Sequence, residues 1–247
     1  MSLIYDFEKQ GSFLFKYRGQ FPVLLFLLAI PFIYFTDYNK TDFYYIELLR
    51  IIALFLCVVG FLVRFYTIGT TPKGTSGRNR KKQIADVLNS EGMYSIVRHP
   101  LYFGNYLIWF GLSVFTYNFY FMFIITLLFW LYYERIMFVE ERFLERKFGD
   151  IFRQWAKNSP AFIPNFLSFK KSQINFSIIT VLRREYAGLF STVIGFMFIE
   201  IVRNYCIYET FKLNLTMTYI FLVSVLLVLL LRSLKHYTKL LNEDERS

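Results

Sequence analysis

The stretch Leu101–Tyr133, LYFGNYLIWFGLSVFTYNFYFMFIITLLFWLYY, runs for 33 residues without a charge. At about 1.5 Å rise per residue, a single helix of that length would reach about 50 Å, well beyond the ~30 Å hydrocarbon core of a bilayer. The polar break Thr116-Tyr117-Asn118 falls near its middle. The stretch therefore reads as a tight helical hairpin, two spans joined by almost nothing. Working outward, Phe21–Phe35, Tyr186–Ile199 and Leu213–Leu231 are also uncharged or nearly so, and Phe43–Thr70 is apolar apart from Glu47, Arg50 and Arg64. These runs do not alternate with the two-residue period of an outer-membrane barrel. The expectation is all-α: a polytopic membrane helical bundle of about six transmembrane helices.

Composition agrees. The 247 residues are 55% hydrophobic, 21% aromatic and 19% charged, whereas soluble domains carry roughly 25% charged residues. A soluble domain, a disordered chain, a collagen-like chain and a disulfide scaffold are all excluded. Lys9, Lys16 and Arg18 precede the first apolar run as in a signal peptide. That run, however, holds Pro22 and Pro31 and leads into Thr36-Asp37-Tyr38 rather than a small-x-small cleavage site, so a retained helix is expected. With six spans, both termini share one side. That side (1–20, 69–98, 134–185 and 232–247) carries 23 of the 28 Lys and Arg residues, and the opposite loops carry Lys40, Arg203 and Lys212. Cytoplasmic termini follow, and the net charge of +10 reads as attraction to an anionic leaflet rather than to nucleic acid. Cys57 and Cys206 stand alone in or beside apolar runs, without the Cys/His clustering of a metal site.

Two polar clusters are not explained by topology. The first is Gly92-Met93-Tyr94-Ser95-Ile96-Val97-Arg98-His99-Pro100-Leu101-Tyr102-Phe103-Gly104. Pro100 suits the first turn of a helix, which holds Arg98 and His99 beside a helix N-terminus, a place suited to a carboxylate or phosphate. The same residues also fit an Arg snorkelling to the headgroups beside a capping His. The second cluster runs from Glu134 and Arg135 to Glu140 and Glu141; carboxylates this close to hydrocarbon are costly unless paired. Beyond it, Leu144, Phe148, Ile151, Phe152 and Trp155 form an apolar stripe. That pattern predicts a helix leaving the membrane, bending at Gly149, lying on the cytoplasmic surface and ending at Pro160 and Pro164.

Together, residues 92–104 and 140–164 resemble the isoprenylcysteine carboxyl methyltransferase and phospholipid methyltransferase superfamily of integral membrane enzymes. Its pattern Gly-x-Tyr-x-x-x-Arg-His-Pro-x-Tyr-x-Gly is matched from Gly92 to Gly104. Its Glu-Glu-x-x-Leu-x-x-x-Phe-Gly is matched by Glu140, Glu141, Leu144, Phe148 and Gly149. The resemblance implies S-adenosyl-L-methionine bound without a dinucleotide fold. Tyr94, His99, Pro100, Leu101 and Tyr102 would line the cofactor, Glu140 would meet its cationic amino-acid end, and the backbone of Asp86, Val87, Leu88 and Asn89 would add to the adenosine pocket. Arg98, Arg135 and Glu141 are the expected catalytic residues. The family's acceptor-side Arg stands four residues before the Glu pair, where this chain has Ile136; Arg135 lies one position earlier.

The implied activity is methylation of a lipid or lipidated acceptor at the cytoplasmic leaflet. Oxygen acceptors are favoured, because a carboxylate or phosphate is nucleophilic as it stands and an ammonium must first lose a proton. A membrane NADPH-dependent sterol-type reductase shares an Arg-His-Pro-x-Tyr pattern, but the Glu140-Glu141 pair would repel a polyanionic cofactor. A non-catalytic lipid-binding or transport protein is the third reading. The expected organisation is an N-terminal region (1–70), a methyltransferase core (71–165), and a linker with two further helices (166–247). The basic loop Lys73–Lys82 is a candidate anchor or headgroup contact. Glu200 and Arg203 are expected to form a helix-end ion pair.

Overall fold

The computed structural model describes residues 2–19, 21–38, 42–72, 74–75 and 83–243. Lys40 and, apart from Gly74 and Thr75, the basic loop Lys73–Lys82 lie outside the described residues. Eight α-helices follow in order: α1 Leu3–Tyr17, α2 Phe21–Tyr34, α3 Phe43–Gly69, α4 Pro100–Val114, α5 Phe119–Phe148, α6 Asp150–Asn158, α7 Ile178–Tyr208 and α8 Leu215–Tyr237. No strand is present among the described residues; one isolated bridge pairs Gly92 with Lys170.

Every apolar run of the sequence becomes helix, and the helices differ in length. Four helices, α3, α5, α7 and α8, are long and apolar enough to cross a bilayer. The α2 helix has 14 residues and α4 has 15, about 21–23 Å each, short of a ~30 Å core. Of the six expected spans, four meet the length and composition of a crossing helix among the described residues, and the other two are the short apolar helices α2 and α4. The N-terminal residues, read as a loop, form helix α1. The α8 helix has only 6% of its most apolar window buried, which leaves its surface to lipid.

Side-chain caps set the helix starts. Asn118 accepts from the Phe121 amide, Ser177 from Thr180 and Asn214 from Met217, each satisfying a donor that a helix start leaves free. The hairpin turns at Tyr117, which takes a positive φ of 60°. Gly149 (φ 55°) separates α5 from α6 as expected, and α6 stops at Asn158, ahead of Pro160. From Phe119 to Glu140 the unbroken α5 rises about 32 Å, so the Glu pair sits one bilayer thickness from the hairpin turn.

A close approach joins α3 and α4. A Cβ added to Gly104 would stand 2.6 Å from Arg64 Cγ and 2.8 Å from the Gly60 carbonyl oxygen, so two helix backbones meet where neither carries a side chain. The motif glycine therefore makes room for Arg64. Around it pack Ala53, Cys57, Phe61, Ile108 and Leu112. Arg203 and Glu200, expected to pair with each other, have other partners: Arg203 donates to the Phe115 carbonyl and stacks over Phe115 and Tyr117, whereas Glu200 accepts from Asn214. Replacing Gly104 by Ala is expected to lower stability by about 1–3 kcal/mol through overpacking. Thermal melting in detergent checks this, and an unchanged midpoint would show that α3 and α4 are not in close register.

Candidate functional site

The Arg-His-Pro motif lies where α4 begins, with His99 at the N-cap and Pro100 in the first turn. A strap from the end of α6 runs beside it. Arg98 and His99 donate their amides to the carbonyls of Pro160 and Ala161, Asn165 donates to Ile96, and Gly92 donates to Lys170. Trp155 Nε1 donates to the Tyr94 carbonyl, and the Ser159 hydroxyl to that of Ser95. These bonds fix the motif backbone against the end of α6 and the strap that follows it.

Glu141 occupies the centre. Arg98 donates to it through Nε at 2.8 Å and Nη2 at 3.2 Å, while Arg98 Nη1 donates to the carbonyls of Ala156 and Ser159 at 2.8 Å each. His99 Nε2 lies 2.9 Å from the same Glu141 Oε1, and His99 Nδ1 lies 3.5 Å from Glu140 Oε2. Glu140 accepts from the Tyr102 hydroxyl at 2.8 Å, and Arg18 of α1 stands 4.0 Å away. His99 is only 6% exposed. Burial alone would lower its pKa, but its hydrogen bonds to Glu140 and Glu141, and their charges, outweigh burial and raise it. The imidazolium form is thus favoured, and both ring nitrogens can donate.

Next to this cluster is a cavity of about 690 Å³, within the usual range for small-molecule sites. It gathers Val87, Leu88, Asn89, Tyr94, Arg98, His99, Pro100, Leu101, Tyr102 and Glu140, ten of the thirteen residues expected at the site. The other three lie elsewhere. Glu141 stands behind the wall, holding Arg98 and His99. Asp86 is not among the lining residues and donates its amide to the Gly74 carbonyl. Arg135 turns away: its Nε donates to Gln10 at 2.8 Å, its guanidinium lies 5.0 Å from the Phe7 ring, and it lines a separate cavity of about 700 Å³ between α1 and α5. That placement follows from the one-residue offset, since neighbouring positions on a helix point about 100° apart.

The structure also supplies residues that the sequence reading missed. Arg18 of α1, Arg64 of α3, Asn105 of α4, Tyr133 of α5, and Arg184 and Glu185 of α7 all line the cavity. Arg64 and Glu185 were detectable as charges at or beside apolar runs, which call for a partner. Their pairing across 121 positions of sequence was not. Among the described residues, the lining holds four arginines, Arg18, Arg64, Arg98 and Arg184, and two glutamates, Glu140 and Glu185. No group of three or more His, Cys, Asp or Glu side chains able to hold a metal ion occurs among the described residues.

Fold and site define a polytopic helical membrane protein whose polar cavity is walled by the two motifs. Residues 48–151 match the protein-family profile described as phospholipid methyltransferase. Over 84 residues the chain is 31% identical to the protein-S-isoprenylcysteine O-methyltransferase of Schizosaccharomyces pombe, a match covering 34% of this chain and 36% of that protein. Over 85 residues it is 34% identical to the cobalt-zinc-cadmium resistance protein CzcN of Cupriavidus metallidurans, covering 34% of this chain and 39% of that one. The matches thus span a little over a third of the length of these relatives. No solved structure matches the chain. The resemblance to the isoprenylcysteine and phospholipid methyltransferase superfamily is supported over that segment, which runs from within α3 to the start of α6.

A raised His99 pKa has a pH consequence. Its stabilisation is fully present below the ordinary value of 6.5 and is lost as pH rises through the higher folded-state value. The margin in melting temperature of the wild type over His99→Gln is therefore expected to narrow as pH rises above the ordinary value of 6.5. A margin that widens with pH would contradict the assignment of His99 as an imidazolium between two carboxylates.

Proposed function

We propose that the chain is an S-adenosyl-L-methionine-dependent membrane methyltransferase acting on a lipid or lipidated acceptor, with O-methylation of a carboxylate or phosphate favoured over N-methylation. The observation that carries this reading is the cavity itself: one wall is built from both family motifs, and Glu140 faces it. The proposed organisation keeps 71–165 as the core, between an N-terminal region (1–70) and a C-terminal one (166–247). Termini on the cytoplasmic side, as the distribution of Lys and Arg implies, would put the cavity where a soluble cofactor and a bilayer-borne acceptor meet.

The residues fit the cofactor. Glu140, on the cavity wall and 4.0 Å from Arg18, suits an ammonium. Tyr94 and Trp155, with Val87 and Leu88, give an apolar and aromatic wall for an adenine. When bound, S-adenosyl-L-methionine supplies an electrophilic methyl group on a sulfonium. The chain then has to hold the two reactants in line and exclude water. Arg98 is committed to Glu141 and to two carbonyls, which suits positioning rather than contact with the reactants. Glu141 fixes Arg98 and His99. With Arg98 taken up by Glu141, the lining sets Arg18, Arg64 and Arg184 against Glu140 and Glu185, a balance that favours an acceptor arriving as an anion, and an anion needs no general base. A deprotonated amine would gain nothing from these arginines.

Calorimetry on detergent-solubilised protein is expected to show binding of S-adenosyl-L-methionine, weakened about ten-fold or more in Glu140→Gln, as for loss of a hydrogen bond to a charged group. Absence of binding to the wild type would end the methyltransferase reading. Unchanged affinity in the variant would remove Glu140 from the cofactor site.

A further inference from the structure

The Arg64–Glu185 pair belongs to neither motif and joins α3 to α7. The Glu185 side chain is 4% exposed, and Arg64 donates to it through Nε and Nη2 at 2.7 Å each. Arg64 Nη1 donates to Asn105 Oδ1 at 2.5 Å and to the Leu101 carbonyl at 3.4 Å. A guanidinium can only donate, so the Asn105 oxygen must face Arg64 and its NH2 group must point the other way. That NH2 donates to the Tyr133 hydroxyl at 3.2 Å. The hydroxyl accepts from the protein and keeps its own proton to give.

Tyr133 is common to two cavities. One is the polar cavity of the motifs; the other is the space between α1 and α5, walled by apolar side chains such as Leu14, Trp109, Leu128 and Phe129. A molecule with a hydrocarbon chain in the second and a headgroup in the first would pass Tyr133. With Arg98 paired to Glu141, the headgroup would enter a lining with Arg18, Arg64 and Arg184 against Glu140 and Glu185, a balance that suits an anion.

We infer that the Tyr133 hydroxyl donates to an anionic oxygen, carboxylate or phosphate, borne on a hydrocarbon chain, and that Glu185 is the residue that positions it through Arg64 and Asn105. The inference rests on the methyltransferase reading for the place of that oxygen in the reaction, and deepens it by naming the acceptor's contact. It also gives α7, which lies outside the matched segment, a part in the site.

The test uses the full chain in a neutral detergent, titrated by calorimetry with dodecyl phosphate, dodecylamine and inorganic phosphate. Tyr133→Phe removes the hydroxyl and keeps the ring stacked on Phe129 at 4.1 Å. Dodecyl phosphate is expected to bind the wild type and to bind this variant about ten-fold or more weakly, with no such change for dodecylamine. Inorganic phosphate is expected to bind the wild type at least about ten-fold more weakly than dodecyl phosphate, because it lacks the buried chain. Glu185→Gln should weaken dodecyl phosphate binding in the wild-type background and add nothing in the Tyr133→Phe background. Equal dodecyl phosphate affinity in wild type and Tyr133→Phe overturns the inference, as does inorganic phosphate binding as tightly as dodecyl phosphate. An additive loss from Glu185→Gln would reduce Glu185 to a packing role. S-adenosyl-L-methionine titrated in parallel separates the two readings: its failure to bind would sink the methyltransferase assignment and leave the phosphate result standing.

Discussion

The site depends on one carboxylate. Glu141 receives Arg98 and His99 together, and through Arg98 it is tied to the carbonyls that end α6. Three elements that chain order sets apart, the start of α4, the lower part of α5 and the end of α6, are thereby fixed to one another. A partly buried carboxylate with two cationic partners resists separation, because withdrawing either partner leaves charge in a poorly hydrated place. The consequence is rigidity at the cavity wall: His99 is held with Glu140 on its other side, and Glu140 is held by Tyr102. The Glu pair divides its work, one carboxylate building the wall and the other facing the cavity.

The rest of the bundle brings a second set of charges to the same cavity. The close approach of α3 to α4 at Gly60 and Gly104 lets Arg64 cross between helices, and Glu185 meets it from α7. Arg18 comes from α1 and Arg184 from α7. The matched segment 48–151 therefore supplies the motif wall, while helices on either side of it supply much of the remaining charge. The α7 helix is part of the cavity's construction, while α8 leaves an apolar surface to the bilayer.

Much of this was readable from the chain. Uncharged runs gave the helices, Thr116-Tyr117-Asn118 gave the hairpin turn, and Gly149 gave the elbow, because each follows from local physics. The two motifs gave seven residues of the cavity wall, and the family resemblance gave Val87, Leu88 and Asn89 besides. What could not be read was tertiary. Arg135 shows the limit most plainly: it was expected among the catalytic residues, but the helix turns it out of the motif cavity, towards Gln10 and Phe7. Arg64 and Glu185 each signalled a need for a partner, yet only the fold identifies the partner. Asn105 and Tyr133 carried no signal, being an ordinary amide and one of nineteen tyrosines.

The central claim is that this cavity transfers a methyl group to a lipid-borne acceptor. Mass spectrometry of lipid extracts from cells carrying the wild-type chain, the Glu140→Gln chain or neither tests it most directly. The account predicts, in the wild-type extract, a product heavier by one methylene and less negative by one charge than an anionic lipid acceptor, reduced to background in the other two. Identical lipid profiles in all three would contradict it.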